Sequence, residues 1–420
     1  MARRKGILFL VAFAFTTHSF SQAPSYFPDV IDHKGNHVVL GDVGYQLSSN
    51  AITTQFGMAF INGEYIDSTL KDRVKDRLAD ANRLGGNFAG GLAYLQKDSL
   101  FGKAGLGGMI RAQYRVIANA GFTDGLFETV MYGNKSHAGN TVDMHRFSVN
   151  YFAFQSLSFG LAKNSGKSSF GINLSLLKGL QHMNANTERA DFFTHADGEQ
   201  IDLDLAMTYH ESDTTAPDFF SVNGVGGSMD LFFEKRSEAG NIWRLEVGDL
   251  GMIRWVGGAA GSYDIDSLYE WKGWEVNDLF TLKDSIFDGA AETDSLVNAW
   301  KPDKEKGAYI SWLPASIHLY HTKYLKKLEG TTMTLGLHYF NNANYLPYAY
   351  MGWEYKVDES FKAGARLAYG GYGQLQVGLA FGIDFGGGFI ARVQSHQFLG
   401  HLSPKYATGQ DLHFSLSKSF

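Results

Sequence analysis

From residue 375 to residue 385 the chain alternates strictly. Leu375, Val377, Leu379, Phe381, Ile383 and Phe385 are large and apolar, whereas Gln376, Gly378, Ala380, Gly382 and Asp384 are small or polar. Successive side chains on a strand point to opposite faces, so this segment has one apolar side and one wet, uncrowded side. The same period recurs along the chain. Ile110, Ala112, Tyr114 and Val116 interleave with Arg111, Gln113 and Arg115. Ile201, Leu203, Leu205, Met207 and Tyr209 interleave with Asp202, Asp204, Ala206 and Thr208. Trp243, Leu245 and Val247 alternate with Arg244 and Glu246, and Met333, Leu335, Leu337 and Tyr339 with Thr332, Thr334 and His338. Further runs begin at Phe147, Phe170, Ala363 and Phe389.

Two architectures give this pattern. A soluble sandwich turns the apolar face inward; a membrane barrel turns it toward lipid and lines its lumen with the polar face. Three features favour the barrel. The runs are long, often nine to eleven alternating residues, against about five or six for an ordinary strand. Glycine and alanine are frequent on the polar face, as a crowded lumen requires. Aromatic residues gather near strand ends, as in Tyr345-Leu346-Pro347-Tyr348-Ala349-Tyr350, where interfacial girdles lie. At ~25 to 30 residues per strand and connection, the chain predicts an all-β, antiparallel transmembrane barrel of about 14 strands, in a range of 12 to 16.

The ends of the chain supply an address. Arg3, Arg4 and Lys5 precede an apolar run from Ile7 to Phe15, and Ser19-Phe20-Ser21 precedes Gln22. This is the pattern of a secretory signal peptide over residues 1–21, cleaved near Ser21-Gln22. The run is too short for a membrane-spanning helix, which needs about 20 apolar residues. At the other end, Leu412, Phe414, Leu416 and Phe420 share one face of a final amphipathic strand. That strand resembles the signal read by the outer-membrane barrel-insertion machinery. The expected location is the outer membrane of a Gram-negative bacterium, with outer-membrane lipids as the surroundings and the insertion machinery as a partner during biogenesis.

Three stretches depart from the alternation. Residues 22–36, with Pro24 and Pro28, read as an extended segment and a possible lumen plug ahead of a single barrel over 37–420. Ile66, Leu70, Val74 and Leu78 recur at i, i+4 within residues 62–84, an apolar stripe on a helix that Gly85-Gly86 ends. Asp264 to Glu305 carries 11 acids and four bases together with Trp271, Trp274, Phe280, Phe287 and Trp300. Those aromatics predict a long ordered loop, spanning about 258–307.

Composition narrows the function. With 37 Lys and Arg against 43 Asp and Glu, the net charge is −6, and loss of residues 1–21 moves it to about −9. No nucleic acid partner is expected of such a chain. The absence of cysteine excludes thiol catalysis, Cys-ligated zinc and iron–sulfur clusters. A mean hydropathy of −0.18 fits a barrel, in which only one face is apolar.

No catalytic, cofactor-binding or metal-binding motif emerges. Gly160 to Ser168 is one residue too long for a phosphate-binding loop. His318 and His321, three apart, belong on opposite faces of a strand. Asp32-His33 and His210-Glu211 are adjacent and therefore face apart. The expectation is no enzyme and no cofactor. The wet-face charges are the candidate lumen residues: Arg111, Arg115, Asp202, Asp204, Arg244, Glu246, Arg366, Asp384 and Arg392. Both signs occur, which fits mutually neutralising salt bridges or a constriction with a transverse field.

Gly248-Asp249-Leu250-Gly251-Met252-Ile253-Arg254-Trp255, Trp312-Leu313-Pro314-Ala315-Ser316 and Asn82-Arg83-Leu84-Gly85-Gly86 resemble an uncharacterised Bacteroidota-type outer-membrane barrel family, a domain of unknown function. That family is similar in architecture to FadL-like transporters and to PorV-like barrels of type IX secretion. The Asn-Pro-Ala start of FadL-like proteins is absent. Asp67-Ser68-Thr69, Asp98-Ser99-Leu100, Asp213-Thr214-Thr215, Asp266-Ser267-Leu268, Asp284-Ser285-Ile286 and Asp294-Ser295-Leu296 resemble O-glycosylation sites of exported Bacteroidota proteins, and are also ordinary turn chemistry. The resemblance licenses no fatty-acid transport and carries no assigned activity; the expectation for such a barrel is a passive channel or FadL-like transporter of small or lipophilic solutes. The alternative is a non-conducting barrel subunit of an outer-membrane protein complex in secretion, assembly or surface attachment.

Overall fold

The computed structural model describes residues 35–420 apart from 98, 213–218, 257–259, 273–304 and 343. Fourteen strands form the ring: β1 (His37–Ser49), β2 (Asn82–Gln96), β3 (Leu106–Phe122), β4 (Ser148–Asn164), β5 (Ser168–Thr194), β6 (Gly224–Arg236) and β7 (Ile242–Trp255) in the first half. The second half holds β8 (Ser316–Tyr324), β9 (Thr331–Phe340), β10 (Leu346–Lys356), β11 (Phe361–Gly371), β12 (Leu375–Gly386), β13 (Phe389–Ser395) and β14 (Gly409–Ser419). Each pairs antiparallel with its sequence neighbour. β14 then pairs with β1 from Val38↔Ser419 to Ser48↔Gly409, closing the barrel and leaving no sheet edge in the wall. The seam ends where the His37 and Phe420 backbones exchange hydrogen bonds of 3.1 and 3.0 Å. The strand number expected from length is the one observed.

The pleat sorts the side chains as the alternation requires. Ile110, Leu157, Phe159, Leu174, Leu176, Leu245, Leu337, Leu367 and Phe381 are exposed on the outer surface. Arg111, Ser158, Asn173, Ser175, Arg244, Glu246 and His338, one position away, are buried inside. His318 faces in, where its ring meets the Tyr350 hydroxyl at 2.8 Å, while His321 faces out and stacks on Trp243. The two histidines three apart therefore occupy opposite faces.

Connections differ between the two ends. At the end that holds both termini five of the six are short, covering residues 165–167, 237–241, 325–330, 357–360 and 387–388, and the β2–β3 connection at 97–105 carries a small hairpin, Ser99–Leu100 against Lys103–Ala104. We call this the turn end. The opposite, loop end carries the long insertions. β4 runs into β5 at the turn end, so the Gly160–Ser168 stretch is strand and hairpin.

The loop end is taller on one side. β5 outruns the ring, and its far half pairs with a strand at Ile201–Ser212, which in turn pairs with one at Gly261–Trp271. The alternation at 201–209 is thus real but belongs to a lateral sheet outside the fourteen, because period two reports a two-faced strand and not membership of a ring. Between β7 and β8, a short strand at Tyr309–Trp312 continues the wall against Met252–Trp255. Most of the acidic aromatic stretch lies outside the described residues, as does nearly all of the possible plug at 22–36.

On the loop-end rim stand three helices of eight or nine residues, α1 (Thr54–Asn62), α2 (Ser68–Lys75) and α3 (Asp124–Tyr132), besides a four-residue helix at Leu399–Leu402. The expected stripe is split, since only Leu70 and Val74 of it lie in α2. Gly63, with φ of 67°, ends α1, and Asp67 caps α2 by accepting from Leu70 N at 2.8 Å. That capping role accounts for the first Asp-Ser-Thr triplet. Helices α1 to α3 share a core of Phe56, Ala59, Leu70, Val74, Phe122 and Phe127. α1 was not visible as a separate helix because its apolar positions adjoin the β1 pattern. It docks on the β13–β14 connection through Thr54 N donating to Ala407 O at 2.8 Å.

Replacing Leu337, in the middle of the outer apolar band, with arginine should cost roughly 2–4 kcal/mol when the barrel is refolded into bilayers, whereas Leu337→Phe should be nearly neutral. Urea titration of folding in phosphatidylcholine vesicles measures both.

Candidate functional site in the barrel lumen

The lumen is crossed by paired charges. Arg111 on β3 sets Nη2 against both oxygens of Asp42 on β1, at 2.9 and 2.8 Å. Arg115, two pleat repeats further on, makes a two-pronged contact with Asp249 on β7 at 2.6 and 2.8 Å. Three strands separate β3 from β7 along the wall, so this pair is a strut through the interior. A carboxylate and a guanidinium both removed from water require this geometry, because either alone would carry a large desolvation cost.

Asp249 reaches the strut through a local distortion. The β6–β7 register shifts between Met229 and Leu231, and Asp249 adopts a left-handed φ of 56°. Aspartate is among the few residues that tolerate this region. Its N–H donates to Asp230 at 2.9 Å, and Asp230 also accepts from Asn173 at 2.8 Å. The Gly248-Asp249-Leu250-Gly251 segment is therefore a bulge that aims a carboxylate inward.

A second group lies nearer the turn end. Arg244 contacts Glu246 at 2.6 Å and Glu234 at 3.3 Å, and Arg236 also contacts Glu234 at 2.7 Å. The Arg366 guanidinium stacks 3.6 Å above the Tyr350 ring. Asp384 caps the β12–β13 turn by accepting from Gly386 N at 2.8 Å, and Arg392 lines the cavity described below. Asp202 and Asp204 sit on the lateral strand instead, contacting His195 and Arg189 at 3.0 and 2.9 Å. Hydrogen bonds from Gln200 and His195 hold the Asp202 carboxyl below its usual range.

Apolar residues fill the remaining upper interior on one side. Ile117, Phe152, Phe154, Leu177, Ile253 and Trp255 form a buried cluster inside the β3–β7 wall. Trp255 fits because Gly179 faces it; a Cβ there would lie 2.6 Å from the indole.

On the other side, two loop-end connections turn inward. Tyr345, in the β9–β10 connection, and Tyr372, in the β11–β12 connection, pack edge to face at 5.0 Å within a buried cluster with Phe340, Tyr348 and Ala368. His338 holds the Tyr345 hydroxyl at 3.0 Å. Asn344 reaches across the barrel to Asn119 on β3 at 2.9 Å and to Ser148 on β4 at 3.0 Å. Arg83 on β2 donates from Nε to Gly371 O and from Nη2 to Gly373 O, each at 3.0 Å. Gly85 beneath it has no side chain because the Tyr372 ring occupies that space. These contacts tie β9–β12 to the far wall.

Below the aromatic cluster lies a cavity of about 430 Å³. Tyr320, Tyr350, Glu234, Lys362, Arg366 and Arg392 contribute to its lining, and it extends to Gly330 and Lys356 at the turns. No group of three or more potential metal ligands occurs among the described residues.

Of the residues singled out in the sequence, the structure brings Arg111, Arg115, Arg244, Glu246, Arg366 and Arg392 to the interior of the ring. It adds Asp42, Asp230, Glu234 and Asp249 as their partners or neighbours, and Arg83, Asn344, Tyr345 and Tyr372 as the mouth. The inward parity of Asp42 was readable from its strand. The Asp249 parity was not, because a bulge resets it.

The fold and lumen define a closed, outward-apolar antiparallel β-barrel. The chain belongs to the family described as "Family of unknown function (DUF5723)", which matches residues 35–389. No curated protein matches it in sequence. Among solved structures, it is similar to the Pseudomonas putida toluene transporter TodX, with a TM-score of 0.40 and 10% identity over 95% of this chain and 94% of that one. A Pseudomonas aeruginosa FadL homologue gives a TM-score of 0.42 and 10% identity over 91% and 89% of the two chains. The translocator domain of the autotransporter NalP from Neisseria meningitidis gives 0.35 and 9% over 93% and 91%. What this barrel does has to be read from its own interior.

Arg115→Met should destabilise the barrel by about 3–5 kcal/mol, because it leaves Asp249 buried without its guanidinium. Adding Asp249→Asn, which keeps a residue tolerant of the left-handed backbone, should recover a large part of that loss. Unfolding midpoints in mild detergent test the cycle.

Proposed function

We propose that this chain is an outer-membrane barrel without a standing pore, serving as a subunit or scaffold of an outer-membrane protein complex. One observation carries the reading: side chains and inward-folded connections from facing walls meet inside the loop end of the lumen. The Arg115–Asp249 strut, the Trp255 cluster and the Tyr345–Tyr372 pair occupy successive parts of it, and Arg83 and Asn344 tie them together. A diffusion channel of fourteen strands would need that space as water. Each strand of the ring is hydrogen-bonded to both neighbours, and where the β7–β8 ladder is interrupted between Gly248 and Met252, Leu313 N donates to Gly251 O at 3.0 Å.

The membrane assignment rests on the outward apolar band and on closure of the wall, since a spanning sheet must satisfy every backbone group internally. Short turns then belong to the periplasmic side and the loop end to the cell exterior. The secretory signal at 1–21, the insertion role of Leu412, Phe414, Leu416 and Phe420, and a Bacteroidota-type source form part of the same proposal. So does the absence of enzymatic activity.

A second reading, a transporter for small solutes, is favoured by the turn-end cavity, whose 430 Å³ is the size of a small-ligand site. It would require the aromatic cluster to move.

Planar-bilayer recording separates the two. The purified wild-type barrel should insert without steady conductance steps. Arg83→Ala with Asn344→Ala should produce intermittent openings, because both ties to the far wall are removed. Porin-like steady conductance in the wild type would contradict the proposal.

A further inference from the structure

Around most of the ring the outer surface is uniformly apolar, but on β4–β7 it changes character along one row. Gln155 on β4 faces Lys178 on β5, which faces Val225 on β6, which faces Arg254 on β7. Gln155, Lys178 and Arg254 take the outward positions of their strands. Two residues nearer the turn end, the matching positions are Leu157, Leu176, Gly227 and Met252. Beyond those come Phe159 and Leu174. The row is thus the edge of the apolar band, and it is where a bilayer sheathing the band would reach its headgroups.

A segment of chain is strapped across this edge. The Phe219 carbonyl accepts from Lys178 Nζ at 2.9 Å and from Gln155 Nε2 at 3.1 Å. Asn223 pins the end of the segment by donating from Nδ2 to Leu180 O at 2.7 Å. With its backbone held on the wall, the segment turns apolar side chains outward: Phe219, Phe220 and Val222 are 61%, 77% and 56% exposed. Phe219 and Phe220 pack edge to face at 5.3 Å. In water such an exposed cluster would be unfavourable, and the Lys178 ammonium lies 5.9 Å from the Phe219 ring centroid. The cluster lies continuous with the apolar band and beside two outward cations.

We infer that Phe219–Val222 is a membrane-interface anchor, whose aromatic pair enters the upper edge of the bilayer while Lys178 and Arg254 meet lipid phosphates. The inference rests on the outer-membrane reading above and adds a height to it. Aromatic rings at the headgroup boundary and basic groups beside them are stabilised there in the way interfacial girdles are. The anchor sets the bilayer at the level of Lys178. The far half of β5 and the lateral sheet of Ile201–Ser212 and Gly261–Trp271 then stand clear of lipid, available to the exterior.

The chain has no cysteine, so single labels are unambiguous. Phe220→Cys and, separately, Leu174→Cys carry an environment-sensitive fluorophore in the full-length barrel, reconstituted into phosphatidylcholine–phosphatidylglycerol vesicles. Lipids brominated high or deep in the acyl chain then report depth by quenching. The label at 220 should be quenched most by shallow bromines, and the label at 174 most by deep ones. Quenching at 174 with none at 220 would overturn the anchor and leave the membrane reading standing. Quenching at neither position would overturn both.

Discussion

Everything in this barrel depends on the pairing of buried charge across its interior. A ring of fourteen strands encloses more volume than single side chains from one wall can fill. Long residues from facing walls can meet in the middle, and arginine with aspartate does so with two parallel hydrogen bonds and a defined orientation. Arg115 and Asp249 therefore set how far apart β3 and β7 lie. The distortion at Asp249 is the local consequence, since a regular β7 would aim that carboxylate outward into the apolar band. Asp230 and Asn173 complete the arrangement by engaging the Asp249 N–H and the adjoining carboxylate.

Closure of the mouth follows a different logic. Charge pairs serve the middle of the lumen, but the loop end uses aromatic packing tied down by neutral hydrogen bonds. Tyr345 and Tyr372 supply large area with few rotatable bonds, and glycine at 85 gives Tyr372 its seat. The ties are few, from Arg83 and Asn344, so the mouth holds together more loosely than the strut. The barrel is thus braced by paired charge at mid-height and by aromatic packing at its loop-end rim.

The sequence made much of this legible. Alternation from Leu375 to Phe385 assigned each side chain on β12 to a face, and the runs on β3, β7 and β9 did the same for Arg111, Arg115, Arg244, Glu246 and His338. The strand count followed from length. What alternation could not convey was which strands close into a ring: Ile201 to Tyr209 shows the same period, yet lies in the lateral sheet. Partner identity was also hidden, because Asp42 and Asp249 reach their arginines only through ring geometry, and the bulge at Asp249 interrupts the parity. The inward placement of residues 344–345 and 372–374 leaves no periodic trace at all. It depends on residues from opposite walls, such as Asn344 and Asn119, which are far apart along the chain.

The closed mouth can be tested directly in cells. In a chain otherwise free of cysteine, Asn344→Cys with Asn119→Cys places two thiols on opposite walls, at positions whose side chains touch at 2.9 Å. A short membrane-permeant bifunctional thiol reagent should join them within the folded barrel in intact cells, changing its mobility on a non-reducing gel. A pair that stays unlinked while each thiol alone reacts freely with the reagent would mean that the β9–β10 connection stands away from the far wall and the lumen is open.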